Sequence, residues 1–179
     1  MPYWMKLCKV VLAALAILSM PDGLARTQNA DSPGWQRITS AENHFSVTMP
    51  SKPKVRDIAD GPEGTTTRQF FATSGDGRVA YLVRVQHAQA GYAFSVVPDG
   101  VAERYARAVD ITLDSQRDLT FAGVPAHEAL LHDKTIRHRV IWLAAHNSIY
   151  VIGAAGSDAF HSGDDARRFF ESFQLIATN

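Results

Sequence analysis

From Trp35 onward the chain alternates apolar and polar residues, and clusters of Gly, Pro, Asn and Asp interrupt the alternation. A period of two puts successive side chains on opposite faces of an extended strand, so these runs predict half-buried strands. Trp35–Thr39 reads as a first strand, and Phe45–Met49 as a second with Phe45, Val47 and Met49 on one face and Ser46 and Thr48 on the other. Pro50-Ser51-Lys52-Pro53 stops it, Lys54–Ile58 is a short third, and Asp60–Gly64 is a loop by its turn residues. Thr65–Thr73 and Val79–His87 form a pair around Ser74-Gly75-Asp76-Gly77, whose glycines offer the left-handed backbone a tight hairpin needs. In the second member Val79, Tyr81, Val83 and Val85 alternate with Ala80, Leu82, Arg84 and Gln86, which predicts one apolar face and one mixed face.

Two stretches change to a helical period. The first opens near Pro98-Asp99, with Asp99 as its N-cap, and stacks Val101, Ala102, Tyr105, Ala108 and Val109 on one stripe while Glu103 and Arg107 pair on the wet side. The second opens at Ser162 and places Ala166, Phe169, Phe170 and Phe173 at i, i+3, i+4 and i+7. Between them lie strands near Ile111–Thr120, Ala126–His132, Thr135–Ala145 and Ile149–Ala155, with turns at Asp133-Lys134 and His146-Asn147. Leu175-Ile176 adds a short closing strand. Most connections are too short for a parallel crossover. The expected fold class is therefore α+β: a single twisted, mainly antiparallel sheet flanked by two main helices, an α-β-α sandwich.

The N-terminus follows another rule. Met1–Lys9 is short and basic, Val10–Met20 is apolar, and Gly23-Leu24-Ala25 offers small residues for cleavage, an order that reads as a signal peptide over residues 1–25. As a helix the apolar run reaches about 16 Å, well short of the ~30 Å hydrocarbon core, which weighs against a retained anchor. Residues 26–34 read as a flexible polar leader, and residues 35–179 as one domain large enough for its own core. The expected location is the periplasm or the medium, with no stable membrane anchor after cleavage. Cys8, the sole cysteine, leaves with the signal, which excludes disulfides, thiol nucleophiles and thiolate metal sites from the mature chain. Cleavage also removes Lys6, Lys9 and Asp22 from 18 basic and 18 acidic side chains, leaving one more acid than base. So balanced a chain sets up no long-range field for a polyanion, and nucleic acid is not expected as a partner.

Histidine is the reactive type in surplus, at positions 44, 87, 127, 132, 138, 146 and 161. His127-Glu128-Ala129-Leu130-Leu131-His132 resembles a zinc-protease motif but spaces its histidines five apart in a strand, which puts them on opposite faces. A two-residue turn at Asp133-Lys134 would bring His127 and His138 within diagonal reach on one face, the candidate metal pair, and would set Glu128 opposite Arg139. No third ligand can be assigned, so packing or surface roles are expected, with no metal and no cofactor. There is neither a G-x-S-x-G elbow nor a glycine-rich phosphate loop opening a helix, so no catalytic residue is assigned. Lys134, Arg137 and Arg139 next to Trp142 combine cations with an aromatic ring and are the candidate ligand- or partner-binding residues; the alternative is a solvated strand end.

Several short segments resemble a group of exported bacterial domains of uncharacterised function: Asn43-His44-Phe45-Ser46-Val47-Thr48-Met49-Pro50 with Pro53 after it, Phe121-Ala122-Gly123-Val124-Pro125-Ala126-His127-Glu128, Ile149-Tyr150-Val151, and Arg168-Phe169-Phe170-Glu171-Ser172-Phe173. The order of elements is similar to the Mog1/PsbP-like sandwich. That resemblance implies an accessory or binding protein and carries no site residue across. The functional expectation is an exported, non-catalytic binding or accessory module of the cell envelope, with an envelope protein or a small anionic ligand as partner. A hydrolase with a dispersed serine or carboxylate site, or a histidine-based metal carrier, are the alternatives.

Overall fold

In the computed structural model, residues 34–58, 65–88, 93–157 and 163–177 are described. The signal peptide, nearly all of the leader, the loop at Asp60–Gly64, His161 and the Ser162 cap lie outside the described residues. Among the described residues ten strands and two helices follow one another: β1 (Gln36–Ser40), β2 (Phe45–Met49), β3 (Lys54–Ile58), β4 (Thr65–Thr73), β5 (Ala80–Ala88), α1 (Val101–Val109), β6 (Thr112–Phe121), β7 (Val124–His132), β8 (Arg137–Ala145), β9 (Ser148–Gly156), α2 (Asp164–Ser172) and β10 (Gln174–Leu175).

The expected α+β class with a single sheet is corrected. The fold is mostly β, with strands taking 56 % of the described residues in two antiparallel sheets, and each of the two helices is only nine residues long. Seven strands run in the order β3-β4-β5-β9-β8-β7-β6, and three form a separate sheet, β1-β2-β10. The reason lies in Pro50 and Pro53. Proline cannot donate to a ladder, so the chain leaves the β1–β2 hairpin there and starts the larger sheet afresh at β3. Phe45, Val47 and Met49, all wholly buried, then face the larger sheet as a stacked layer instead of extending its edge. The alternation read for β2 was sound, but alternation reports which side is apolar, not which sheet a strand joins.

Turn chemistry sets the register of the β6–β9 meander. Ala122-Gly123, with φ of 49° and 83°, closes β6 on β7 so that Phe121 pairs with Val124. His146-Asn147, with φ of 49° and 55°, likewise closes β8 on β9, pairing Ala145 with Ser148. Two successive left-handed residues match the strand twist, as tight hairpins require. The turn between β7 and β8 is longer than expected: Asp133–Ile136 intervene, and the Asp133 carboxylate accepts from the amides of Thr135 and Ile136, both at 2.8 Å.

Both faces of the larger sheet are covered. On one, β2 and α2 pack Phe45, Phe169, Phe170 and Phe173 against Phe70, Tyr81, Tyr150 and Ile152. Each buried ring contributes roughly 2–3 kcal/mol. On the other face α1 sets Ala102, Tyr105 and Ala106 against Leu131, Val140, Trp142 and Val151. The helix starts at Gly100 in left-handed backbone (φ 64°) with no side-chain cap, so Asp99 does not cap it, and Glu103 accepts from Gln116 of β6 at 2.5 Å where an Arg107 pair was expected. The mixed face of β5 is buried as well: Arg84 is 2 % exposed, beside Thr67, Gln69 and Gln86. Among the described residues no helix is long and apolar enough to cross a membrane.

Candidate functional site

A groove of about 680 Å³ runs along α2, between that helix and the β6–β7 turn. Its aromatic side is built by Phe121, Phe170 and Phe173, and its rim carries Arg139, Arg167 and Glu171. The helix places these groups by its period, because Phe169 and Phe170 turn inward while Arg167 and Glu171 fall on the exposed flank. Arg167 is anchored to Asp164 one turn earlier at 2.8 Å.

The groove backs onto a charge ladder across three strands. Glu128 of β7, 4 % exposed, sits directly opposite Arg117 of β6 and receives its Nε at 2.6 Å. On the other side Arg139 of β8 donates its Nε to the second carboxylate oxygen at 2.7 Å. The partner facing Glu128 in β8 is Ile141, so Arg139 reaches it diagonally; the register is two residues away from the one expected, because the β7–β8 turn holds four residues instead of two. The Arg139 guanidinium also lies 4.2 Å from the centroid of the Phe170 ring. A carboxylate stripped of water is tolerated only when its oxygens are hydrogen-bonded, and here both are.

The structure separates the four candidate binding residues. Lys134 lies exposed in the turn, and Arg137 binds Asp114 at 2.9 Å. Arg139 belongs to the α2 groove, whereas Trp142 points through the opposite face, where Tyr105 packs edge-on at 5.6 Å. His127 and His138 do share that face, but His127 stands opposite Trp142 and His138 opposite Leu131. Four strand positions, about 13 Å, lie between them. His127 is engaged instead by Asp118 at 2.8 Å and Gln116 at 3.0 Å, while His132 contacts Asp114 at 2.6 Å. Among the described residues no group of three or more His, Cys, Asp or Glu side chains is arranged to hold a metal ion.

Sequence reasoning missed a second cluster, at the junction of the two sheets. His87, at the end of β5, has Ser148 Oγ 2.8 Å from Nδ1 and Asn43 Oδ1 2.8 Å from Nε2. These residues sit in three different segments, and no spacing in the chain announces them. The Asn43 amide donates to Ser40 Oγ at 2.7 Å, which leaves its oxygen for the ring and puts the proton of neutral His87 on Nε2. Ser148 is fully buried and also lies 3.1 Å from the His146 carbonyl oxygen, so its hydroxyl ties two turns together and is not presented to a substrate. The Tyr150 hydroxyl donates to the Asn43 carbonyl at 3.0 Å, and burial pushes that phenol up to about 12. The His44 and His146 rings lie 5.0 Å apart. Burial pulls His87 below the ordinary histidine range; Glu42 opposes this, and His44 and Arg68 add to it. Burial, then the neighbouring His44, lower His146 in the same way.

No protein-family profile and no curated protein sequence matches the chain. Among solved structures, the fold is similar to that of cyanobacterial PsbP (CyanoP) from Synechocystis, determined in solution, with a TM-score of 0.58 over 86 % of this chain and 99 % of that one. Identity is 9 %, so what the two share is a fold. The PsbP-like architecture read from the order of elements is thereby supported; the short sequence motifs and export are separate matters on which this likeness is silent.

Proposed function

We propose that the protein is an exported, non-catalytic accessory module of the cell envelope that binds a protein segment along the α2 groove. The observation that carries this reading is the groove itself, in which aromatic rings adjoin a rim bearing both charge signs. Such a surface suits a partner strand or helix that lays an apolar side chain against the half-buried Phe121 ring and sets an acidic group near Arg167. In this reading residues 1–25 are the export signal and residues 35–179 the working domain. The PsbP-like fold supports it by analogy of architecture alone.

A photo-crosslinking residue placed at Arg167, and a control at Arg56 on β3, test the site in cell-envelope extract. The reading expects one discrete adduct from position 167, none at 56, and its loss when Arg139→Glu is added. Equal adducts from both positions, or an adduct indifferent to Arg139→Glu, would overturn it. Fractionation tests the address: the mature protein should begin after Ala25 and lie outside the cytoplasm, and a full-length product retaining Met1 would contradict export.

A further inference from the structure

We propose that His87 and His146, packed beside the β1–β2 turn, form a proton-sensitive clasp between the two sheets, one that holds β1, β2 and β10 against the larger sheet when neutral and loosens on mild acidification. This goes beyond the binding reading and stands whether or not the α2 groove has a partner.

The geometry carries the argument. Asn43 and His44 belong to the turn between β1 and β2, His87 closes β5, and His146 and Ser148 flank the start of β9. Two polar contacts therefore bridge the layers at one corner, His87 to Asn43 and Tyr150 to Asn43, while Ser148, paired with His87 inside the larger sheet, holds the other ring nitrogen. The Ile176 amide, just past β10, donates to the His44 carbonyl at 2.9 Å, so the closing strand is fastened to the same turn. A cleft of about 430 Å³, lined by Glu42, Asn43, Arg68 and His87, gives protons access.

With neutral His87, Nε2–H donates to Asn43 and Nδ1 accepts the Ser148 hydroxyl. A second proton turns Nδ1 into a donor that faces the Ser148 oxygen. The serine must then swing its own hydrogen to the His146 carbonyl, 3.1 Å away. The added charge is opposed by Arg68 from β4 and by His44 from the β1–β2 turn, and among the described residues Glu42 is the neighbour that attracts it. Arg68 is itself bound to Glu42 and to Asp57 of β3, so Glu42 is already shared. The His146 ring lies 5.0 Å from the His44 ring, which opposes a charge on His146 and so couples that charge to the β1–β2 turn.

The sign follows from linkage. A histidine held below its free value of 6.5 binds fewer protons folded than unfolded at mildly acid pH, so its contribution is complete above 6.5 and is lost as pH falls through the folded value. Hydrogen exchange on the full mature chain at pH 7.5 and 5.5, corrected for intrinsic chemistry, reads this out. Amides of β2 and β10 should open about tenfold more often at the lower pH, with those of β8 and β9 unchanged. His87→Gln, which can keep both hydrogen bonds without titrating, should cut that ratio to about twofold. If His87→Gln does not fold, His146→Asn decides, because asparagine tolerates the left-handed backbone at that turn; its expected ratio is about threefold. Equal ratios in wild type and variants, or acceleration spread evenly over both sheets, would overturn the clasp.

Discussion

The two faces of the seven-stranded sheet are closed by different kinds of chain. One lies beneath β2 and α2, segments more than a hundred residues apart, and is sealed by rings that touch across the layers: Phe45 on Phe70 at 5.0 Å, Tyr81 on Phe169 at 5.1 Å, Phe45 on Phe173 at 5.8 Å. The other lies beneath α1, a helix joined directly to β6, whose Ala102 and Ala106 share a buried cluster with Ala129 and Ala155 around one Tyr105–Trp142 contact. Large interlocking rings concentrate stability, since each deletion leaves a hole that rigid neighbours cannot fill. The α1 face, where Ala102 and Ala106 carry much of the helix's buried side and fewer rings interlock, tolerates loss better.

That contrast can be broken or sharpened by experiment. The largest expected effect is Phe169→Ala, which should lower unfolding free energy by about 4 kcal/mol in urea titration, against about 2 kcal/mol for Tyr105→Ala; equal losses would erase the distinction. Glu128→Gln, at the groove edge of the ring-rich face, should cost about 1–2 kcal/mol, less than a fully buried pair because Arg117 is mostly in water. A smaller change, about 1 kcal/mol, is expected from Tyr150→Phe, which leaves the buried Asn43 carbonyl without its donor. The same variant has a pH signature. With its phenol raised from 10.0 to about 12, Tyr150 keeps its proton longer in the folded state, so its contribution is complete below pH 10 and fades toward pH 12. Urea midpoints measured across that interval should fall less steeply in Tyr150→Phe than in wild type. The smallest effect, roughly 0.5–1 kcal/mol, is expected for Gly123→Ala: there is space for a methyl group, but φ of 83° disfavours it.

Much of the fold was legible because its signals are local. Period-two runs marked strands such as β2 and β5, and the stripe Ala166, Phe169, Phe170, Phe173 marked the buried flank of α2, whereas the closing strand was read one residue late, at Leu175-Ile176. What escaped was decided between segments. Nothing in Phe45–Met49 says that its partners are β1 and β10 and that β3 belongs elsewhere; only the proline pair hinted at a break. Turn length was equally opaque at Asp133–Ile136, where an aspartate folding back on two amides lengthened the connection and carried Glu128 from Arg139 to Ile141. The clustered site was hidden for the same reason: Asn43, His87 and Ser148 meet only because three turns share one corner.

Strand β2 is flanked by β1 on one side and by residues 174–175 on the other. During synthesis, then, the layer holding Phe45, Val47 and Met49 stays open along one edge until residues 174–175 have been made. Early structure in this molecule must be the meander, and its lid is the last thing to shut. Any delay or loss at residues 174–175 would leave an unpaired edge and greasy surface in water, the usual starting point for aggregation.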